Sequence, residues 1–242
     1  MNDRLKNRIV TGVCFLMLLS LVAVLLFKPG GKVRTIYVTG AEKYSVEEVA
    51  GFAGISTGVD IKSVSEQNVR KMLSKIDDIE FIDLEIREPD TVILEIRERE
   101  VRAVVNCSGV YLLIDEYGYI LGREAERPEM GAIYVSGIDL GLKSGGKMIE
   151  SNSGTQLDTM QELLSLLKDS TIDSDVEEIN LNNMHNIYLL MRSGLKVMLG
   201  DTADLDTKLL HAAAMLSLLT RDGVKTGMVD VSTSVNAVYS AA

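Results

Sequence analysis

The sequence predicts an α+β protein: one N-terminal transmembrane helix, a small β-α-α-β-β unit, and a larger strand-rich domain with two helices. Three observations predict it. Residues 9–27 form an unbroken apolar run. Between Val33 and Arg99, strand-like alternation brackets two stretches of helical spacing. Beyond Glu100, short alternating segments dominate, interrupted by two amphipathic helical stretches.

The apolar run reads IVTGVCFLMLLSLVAVLLF, with Thr11 and Ser20 as its polar side chains. At about 1.5 Å of rise per residue it reaches roughly 28 Å, close to the hydrocarbon thickness of a bilayer. Backbone amides find no water in lipid, so such a run is expected to be helical. Arg4, Lys6 and Arg8 precede it and favour a cytoplasmic N-terminus, although Lys28, Lys32 and Arg34 blunt the asymmetry. A cleaved signal peptide would carry a shorter apolar core and an A-x-A site, whereas this run ends in Phe27-Lys28-Pro29-Gly30. The expected layout is a cytoplasmic segment at 1–8, a span at 9–27, a linker at 28–32, a first domain at 33–99 and a second at 100–242.

In the first domain, Arg34–Gly40 is β-rich, with Ile36 and Val38 on one face. Ser45-Val46-Glu47-Glu48 matches a capping box, and the helix it opens carries Val46, Val49, Ala50 and Ala53 before Gly54. A second helix starts near Ser65, with Val69, Met72, Leu73 and Ile76 on one face. Two strands follow around the Pro89-Asp90 turn, with Ile82, Leu84, Ile86 and then Val92, Leu94, Ile96 expected to face the core. Arg97-Glu98-Arg99-Glu100 reads as a solvated strand end whose charges compensate one another.

The second domain reads as strands at 101–105, 110–114, 119–121 and 133–135, then a Gly/Ser-rich stretch from Gly141 to Gly154. A helix carrying Leu157, Met160, Leu163, Leu164 and Leu167 comes next. Strands at 176–181, 187–191 and 195–199 precede a helix with Leu205, Leu209, Ala212, Ala213, Leu216 and Leu219. The last element, Met228–Tyr239, alternates strictly: Val229, Val231, Val235 and Ala237 against Asp230, Ser232, Ser234 and Asn236. That pattern predicts one long terminal strand.

Charge is unevenly spread. Residues 1–34 hold six basic side chains and one acid, while the remainder holds 19 basic and 34 acidic ones. An outer part this acidic repels phosphate backbones, which argues against nucleic-acid binding. Cys14 lies in the apolar run and Cys107 beyond it, so no disulfide framework or cysteine-based metal site is expected. Tryptophan is absent, which leaves little for sugar stacking.

Several short motifs resemble chemistry. Gly141–Lys147 fits G-x-x-x-x-G-K, but Met148 stands where a hydroxyl would hold Mg²⁺, and no helix is expected to follow directly. Ser165–Lys168 fits S-x-x-K and Lys225-Thr226-Gly227 fits K-T-G, as in penicillin-binding enzymes. The third element of that set, Ser234-Val235-Asn236, falls after both instead of between them. His185 and His211 have no H-E-x-x-H or Cys/Asp cluster beside them. Asp77-Asp78, Asp115-Glu116 and Glu177-Glu178 read as solvated charge. The residues argue for binding, with no cofactor or metal.

Read together, Arg34–Gly40 with Tyr44-Ser45 and Gly54-Ile55, Pro89–Arg99, Leu113-Ile114-Asp115-Glu116-Tyr117-Gly118, Gly194–Gly200 before a Lys/Leu-rich helix, and Val229-Asp230-Val231 resemble the FtsQ/DivIB family of bacterial division proteins. The resemblance spans nearly the whole chain. It implies a POTRA domain at 33–99, a β domain at 100–242, and a non-enzymatic scaffold in the cell membrane at the division septum. It also implies FtsL-like and FtsB/DivIC-like coiled-coil partners, and through them an influence on septal peptidoglycan synthases. Partners of the family attach near the last strands by strand addition, which here indicates Met228, Val229, Asp230, Val231, Ser232, Thr233, Ser234, Val235, Asn236, Ala237, Val238 and Tyr239. An unpaired strand edge is a ready template for such docking; the alternative is that this strand is an internal member of the sheet. The chain departs from the family pattern in its eight-residue cytoplasmic segment and in lacking an aromatic beyond Tyr239 near the C-terminus. The competing expectations are a membrane-anchored cell-wall enzyme using Ser165 and Lys168, and a POTRA-type chaperone for secreted or outer-membrane proteins. A single POTRA unit with no barrel weighs against the latter.

Overall fold

The computed structural model describes residues 13, 15–20, 31–129, 131–141 and 147–241. Of the expected span at 9–27, only residues 13 and 15–20 are described, and they are helical. The rest of the span, the segment 1–8 and most of the linker 28–32 lie outside the described residues. Among the described residues no helix is long and apolar enough to cross a membrane. The chain divides into two compact units, Met1–Glu98 and Arg99–Ala242.

The first unit runs β1 (Thr35–Thr39), α1 (Val46–Ala53), α2 (Glu66–Leu73), β2 (Ile79–Arg87) and β3 (Thr91–Glu98). Its sheet has the order β1-β3-β2, with β1 parallel and β2 antiparallel to the central β3. The capping box forms: Ser45 Oγ accepts from the Glu48 amide, and the Glu48 carboxylate accepts from the Ser45 amide. Gly54, at φ +70°, ends α1 in the left-handed conformation that glycine adopts without a Cβ penalty. Val49, Ala53, Val69 and Leu73 bury against Ile79, Phe81, Val92, Leu94 and Ile96, which places both helices on one face of the sheet.

Two expectations need correction here. In β2 the fully buried positions are Ile79 and Phe81; Leu84 packs on the core as expected, Ile86 lies on the same face but is 39% exposed, and Ile82 alone leaves the expected face. The register shifts between Phe81 and Asp83, so Ile82 is an extra residue: Ile79 and Phe81 face the core before it, and Leu84 and Ile86 after it. Nor are Glu98 and Arg99 solvated charge. Arg97 meets Glu80 at 3.4 Å, while Glu98 accepts the backbone amides of Glu42, Lys43 and Tyr44. Arg99 turns instead to Asp115 in the second unit's own sequence.

The second unit contains β4 (Ala103–Cys107), β5 (Val110–Ile114), β6 (Ile120–Glu124), β7 (Ile133–Ser136), α3 (Gly154–Lys168), β8 (Val176–Asn180), β9 (Ile187–Met191), β10 (Lys196–Gly200), α4 (Leu205–Arg221), β11 (Met228–Asp230) and β12 (Val238–Ser240). All nine strands form one sheet, ordered β12-β11-β10-β9-β8-β7-β4-β5-β6. Parallel pairing joins β4 to β7, where β5 and β6 make the connection, and also β7 to β8 and β10 to β11. Parallel neighbours need a crossover, and α3 and α4 supply one each. Met160, Leu163, Leu164 and Leu167 of α3 and Leu205, Leu209, Ala212, Leu216 and Leu219 of α4 share a core with Val105, Ile114, Val135, Ile179, Leu189, Val197 and Val229. Both helices therefore cover the same face. At the N-terminal turn of α3, buried Gln156 donates to the Gly137 and Leu181 carbonyls and accepts from the Asp139 amide. This one side chain ties the ends of β7 and β8 together.

The three amides on Glu98 have a measurable consequence. Burial works to raise its carboxyl pKa, but the amides outweigh that and hold it below the ordinary value of 4.5. A lowered folded-state pKa gives stability that is present above the ordinary value and lost as pH falls through the folded one. Melting of the full chain between pH 3 and 6 should therefore steepen below about pH 4.5, and Glu98→Gln should flatten that acid limb. A parallel shift of both proteins would show that Glu98 does not carry it.

Candidate functional site

The large sheet grows outward from β10 through α4 to β11, then folds back once more. Val229 and Val231 are fully buried, which fixes β11 beside β10 in the register Lys196↔Met228, Val197↔Val229 and Met198↔Asp230. The chain then leaves the ladder. The Val231 amide still reaches the Met198 carbonyl at 3.0 Å, but the Ser232 amide turns to the Asp230 carboxylate at 2.9 Å. The Ser234 amide donates to the Val231 carbonyl, and Ser234 itself sits at φ +56°. These contacts close a turn. The chain returns as β12, antiparallel to β11 in the register Met228↔Ser240, Val229↔Tyr239 and Asp230↔Val238.

The expected single strand over Met228–Tyr239 is therefore two short strands and a loop. Met228, Val229 and Asp230 belong to an inner strand, and Val231 to its end. Ser232, Thr233, Ser234, Val235, Asn236 and Ala237 make the connection, and only Val238 and Tyr239 lie on the outermost strand. Ser240, which the alternation did not include, completes that strand. Asp230 followed by Ser-Thr-Ser is turn chemistry, because these short polar side chains bond the backbone two residues on. That was the available signal for the break.

Local packing sets the outer strand in place. Gly227 has φ +121°, and a Cβ there would lie 2.6 Å from the Ser240 carbonyl oxygen and 2.7 Å from the Tyr239 ring. The missing side chain lets Tyr239 lie across the start of β11, where its hydroxyl donates to the Thr226 carbonyl at 3.0 Å. Val238 and Val235 remain 57% and 72% exposed. The site is a sheet edge bearing apolar side chains.

The residues with catalytic spacing are placed differently. Ser165 is exposed on α3, and the Lys168 ammonium lies 3.0 and 3.2 Å from the two carboxylate oxygens of Glu116. Lys225-Thr226-Gly227 is the turn into β11, and Ser234–Asn236 lies in the connection to β12. Residues 142–146 of the G-x-x-x-x-G-K stretch lie outside the described residues. No helix follows that stretch directly: α3 begins only at Gly154, where Ser153 caps it with its hydroxyl on the Gln156 amide. His185 is exposed in the turn after β8, and His211 is half-buried on α4. Among the described residues no group of three or more His, Cys, Asp or Glu could hold a metal ion.

Asp115 corrects the reading of its pair as solvated charge. It is 3% exposed, accepts the Tyr117 and Tyr119 amides at 2.9 and 2.7 Å, and pairs with Arg99. The Arg99 guanidinium also lies 4.2 Å from the centre of the Tyr119 ring. Asp115 thus builds the β5–β6 turn from inside, a role that the Leu113–Gly118 motif leaves hidden in one dimension.

Comparison with known proteins places this two-unit molecule among the bacterial cell division proteins. The family model described as "Cell division protein FtsQ/DivIB, C-terminal" matches residues 103–232. The chain belongs to the FtsQ/DivIB family. The matched stretch takes in β4 through β11 and stops short of β12. Over 227 residues the chain is 26% identical to the cell division protein DivIB of Clostridium tetani, covering 92% of this chain and 84% of that protein. DivIB of Clostridium botulinum is 23% identical, with 94% and 89% covered. FtsQ of Corynebacterium glutamicum is 25% identical, with 89% and 90% covered. The extracytoplasmic domain of DivIB from Geobacillus stearothermophilus, in its trans isomer, aligns with 52% of this chain and 97% of its own at TM-score 0.33 and 18% identity, too slight a likeness to argue from. The relatives are named as division proteins, and none of those names is that of an enzyme.

Removing one partner of a buried ion pair leaves the other charge uncompensated, at a cost of about 3–5 kcal/mol. Asp115→Ala should destabilise the second unit by about that amount in denaturant titration. A loss under about 1 kcal/mol would mean that Arg99 and the two amides find water instead.

Proposed function

We propose that this chain is a membrane-anchored scaffold of the bacterial division complex that catalyses no reaction and holds partner proteins by strand addition to β12. One observation carries the proposal: the nine-stranded sheet ends at β12, and Val238 on that strand is 57% exposed. An outermost strand offers unpaired backbone N–H and C=O groups, and exposed valines add apolar contact to an incoming strand. Membership of the FtsQ/DivIB family supports the setting.

In this reading residues 1–8 lie in the cytoplasm, 9–27 span the membrane, and 28–32 link the span to a POTRA domain at 33–99 and a β domain at 100–242. The described part of the span supports it, since Phe15, Leu16, Met17, Leu18 and Leu19 are each more than half exposed on a helix. Such a surface suits lipid. The partners are FtsL-like and FtsB/DivIC-like coiled-coil membrane proteins, and the septal peptidoglycan synthases are influenced through them. Sharing one membrane raises the effective concentration of partner and edge, so a small interface suffices. The outer strand β1, with Tyr37 57% exposed, offers a second edge of the same kind.

Val238→Asp places a charge on the docking strand without touching the core, as natural edges do to stay unpaired. Co-purification of coiled-coil division proteins with the full-length variant should fall at least about tenfold while its melting temperature stays unchanged. Undiminished capture would remove β12 from the interface.

A further inference from the structure

Lys208 is fully buried in the core-facing side of α4, an unusual place for a lysine. Its ammonium donates to the Asp201 backbone carbonyl at 3.0 Å and to the Asp201 carboxylate at 2.8 Å. Asp201 is the first residue of the loop from β10 to α4, and its side chain is 58% exposed. The buried ammonium therefore draws its counter-charge from a loop at the surface. The carboxylate also accepts the Ala203 amide at 3.2 Å, and the Lys208 ammonium beside it holds its carboxyl pKa below the usual value. A buried charge is tolerated only while its partner stays in place. The lysine thus fixes where this loop can sit.

The loop's position matters to its neighbour. Gly200, next to Asp201, is at φ +74°, and a Cβ there would lie 2.8 Å from the Ser232 side chain. The end of β10, directly before the β10–α4 loop, thus packs on the residue where the chain leaves β11 for β12. The Ser232 backbone amide in turn donates to the Asp230 carboxylate at 2.9 Å. A continuous path of contacts runs from Lys208 through Asp201 and Gly200 to Ser232, and from there along the connection to the outer strand.

We propose that the buried Lys208–Asp201 pair is a positioning clamp: by fixing the first residue of the β10–α4 loop it sets the end of β10 at Gly200 against Ser232 and thereby holds the β11–β12 hairpin in the geometry a docking strand needs. The inference rests on β12 being the docking edge, but its structural half stands apart from any partner. Lys208 and Asp201 are positioning residues that touch no partner themselves. Nothing in α4's helical spacing alone requires a charge at this position, where leucine or methionine would pack.

The test is hydrogen exchange on the full-length protein in detergent micelles, comparing the natural chain with Asp201→Asn, Asp201→Glu and Gly200→Ala. Asp201→Asn keeps an acceptor and removes the charge. It should speed exchange in residues 231–240 at least about tenfold while the amides of β8 and β9 keep their protection. Asp201→Glu, which retains a carboxylate on an exposed loop, should restore most of that protection. Gly200→Ala attacks the same contact from the other side and should match Asp201→Asn. Uniform acceleration across the whole sheet, or no change at 231–240, would overturn the clamp. Capture of coiled-coil division proteins by the same variants is scored separately. If exchange at 231–240 rises and capture does not fall, the docking edge fails while the clamp's structural half stands.

Discussion

A sheet that does not close into a barrel must end, and at each end a strand keeps half of its backbone groups unpaired. In the larger unit the two ends are β6 and β12, and they are treated differently. At β6 the chain covers the start of the strand: the Ile120 amide donates to the Lys147 carbonyl and the Ile149 amide to the Gly118 carbonyl. At β12 the ladder stops with apolar side chains beside it. Everything functional in our reading depends on this asymmetry. The parallel step from β10 to β11 across α4 puts the last strands at the sheet's far end, and the sharp turn after Val231 makes the final strand an edge.

The rest of the unit reads as support for that end. Two helices on one face bury the core and leave the ladder itself free to extend. The Gly227 gap seats Tyr239, and Gly200 lets the end of β10 approach Ser232. The charges divide between the units in the same spirit. Glu98 is spent on the amides of residues 42–44 and Arg99 on Asp115, so the two residues at the boundary reinforce separate structures.

Much of the fold was legible because the chain signals its elements by period. Ser45 and Glu48 announced α1, and the apolar spacing of Leu205, Leu209 and Leu216 announced α4. Val110–Ile114 and Ile187–Met191 read as strands because their β-branched and aliphatic residues pack on a pleated face. What stayed hidden depends on contacts far apart in sequence. Ile82 as a bulge is set by pairing with β3, and nothing local marks it. Lys208 falls where helical spacing alone cannot say whether a loop will return to meet its ammonium. Asp115 looked like half of a surface pair because its partner, Arg99, sits 16 residues away. At the candidate site the location was legible and the shape was not. Alternation ran straight through Ser232–Ala237, and the polar turn residues there mimicked the outward face of a strand.

The central claim is that the outer flank of β12 receives the partner's backbone. The most direct measurement is hydrogen exchange of the full-length protein with and without its coiled-coil partners in a shared membrane mimic. New protection of amides in Val238–Ser240, with the β6 edge unchanged, is the predicted result. Protection confined to β6, to the exposed side of α4 or to the first unit, with β12 amides exchanging as before, would contradict the account.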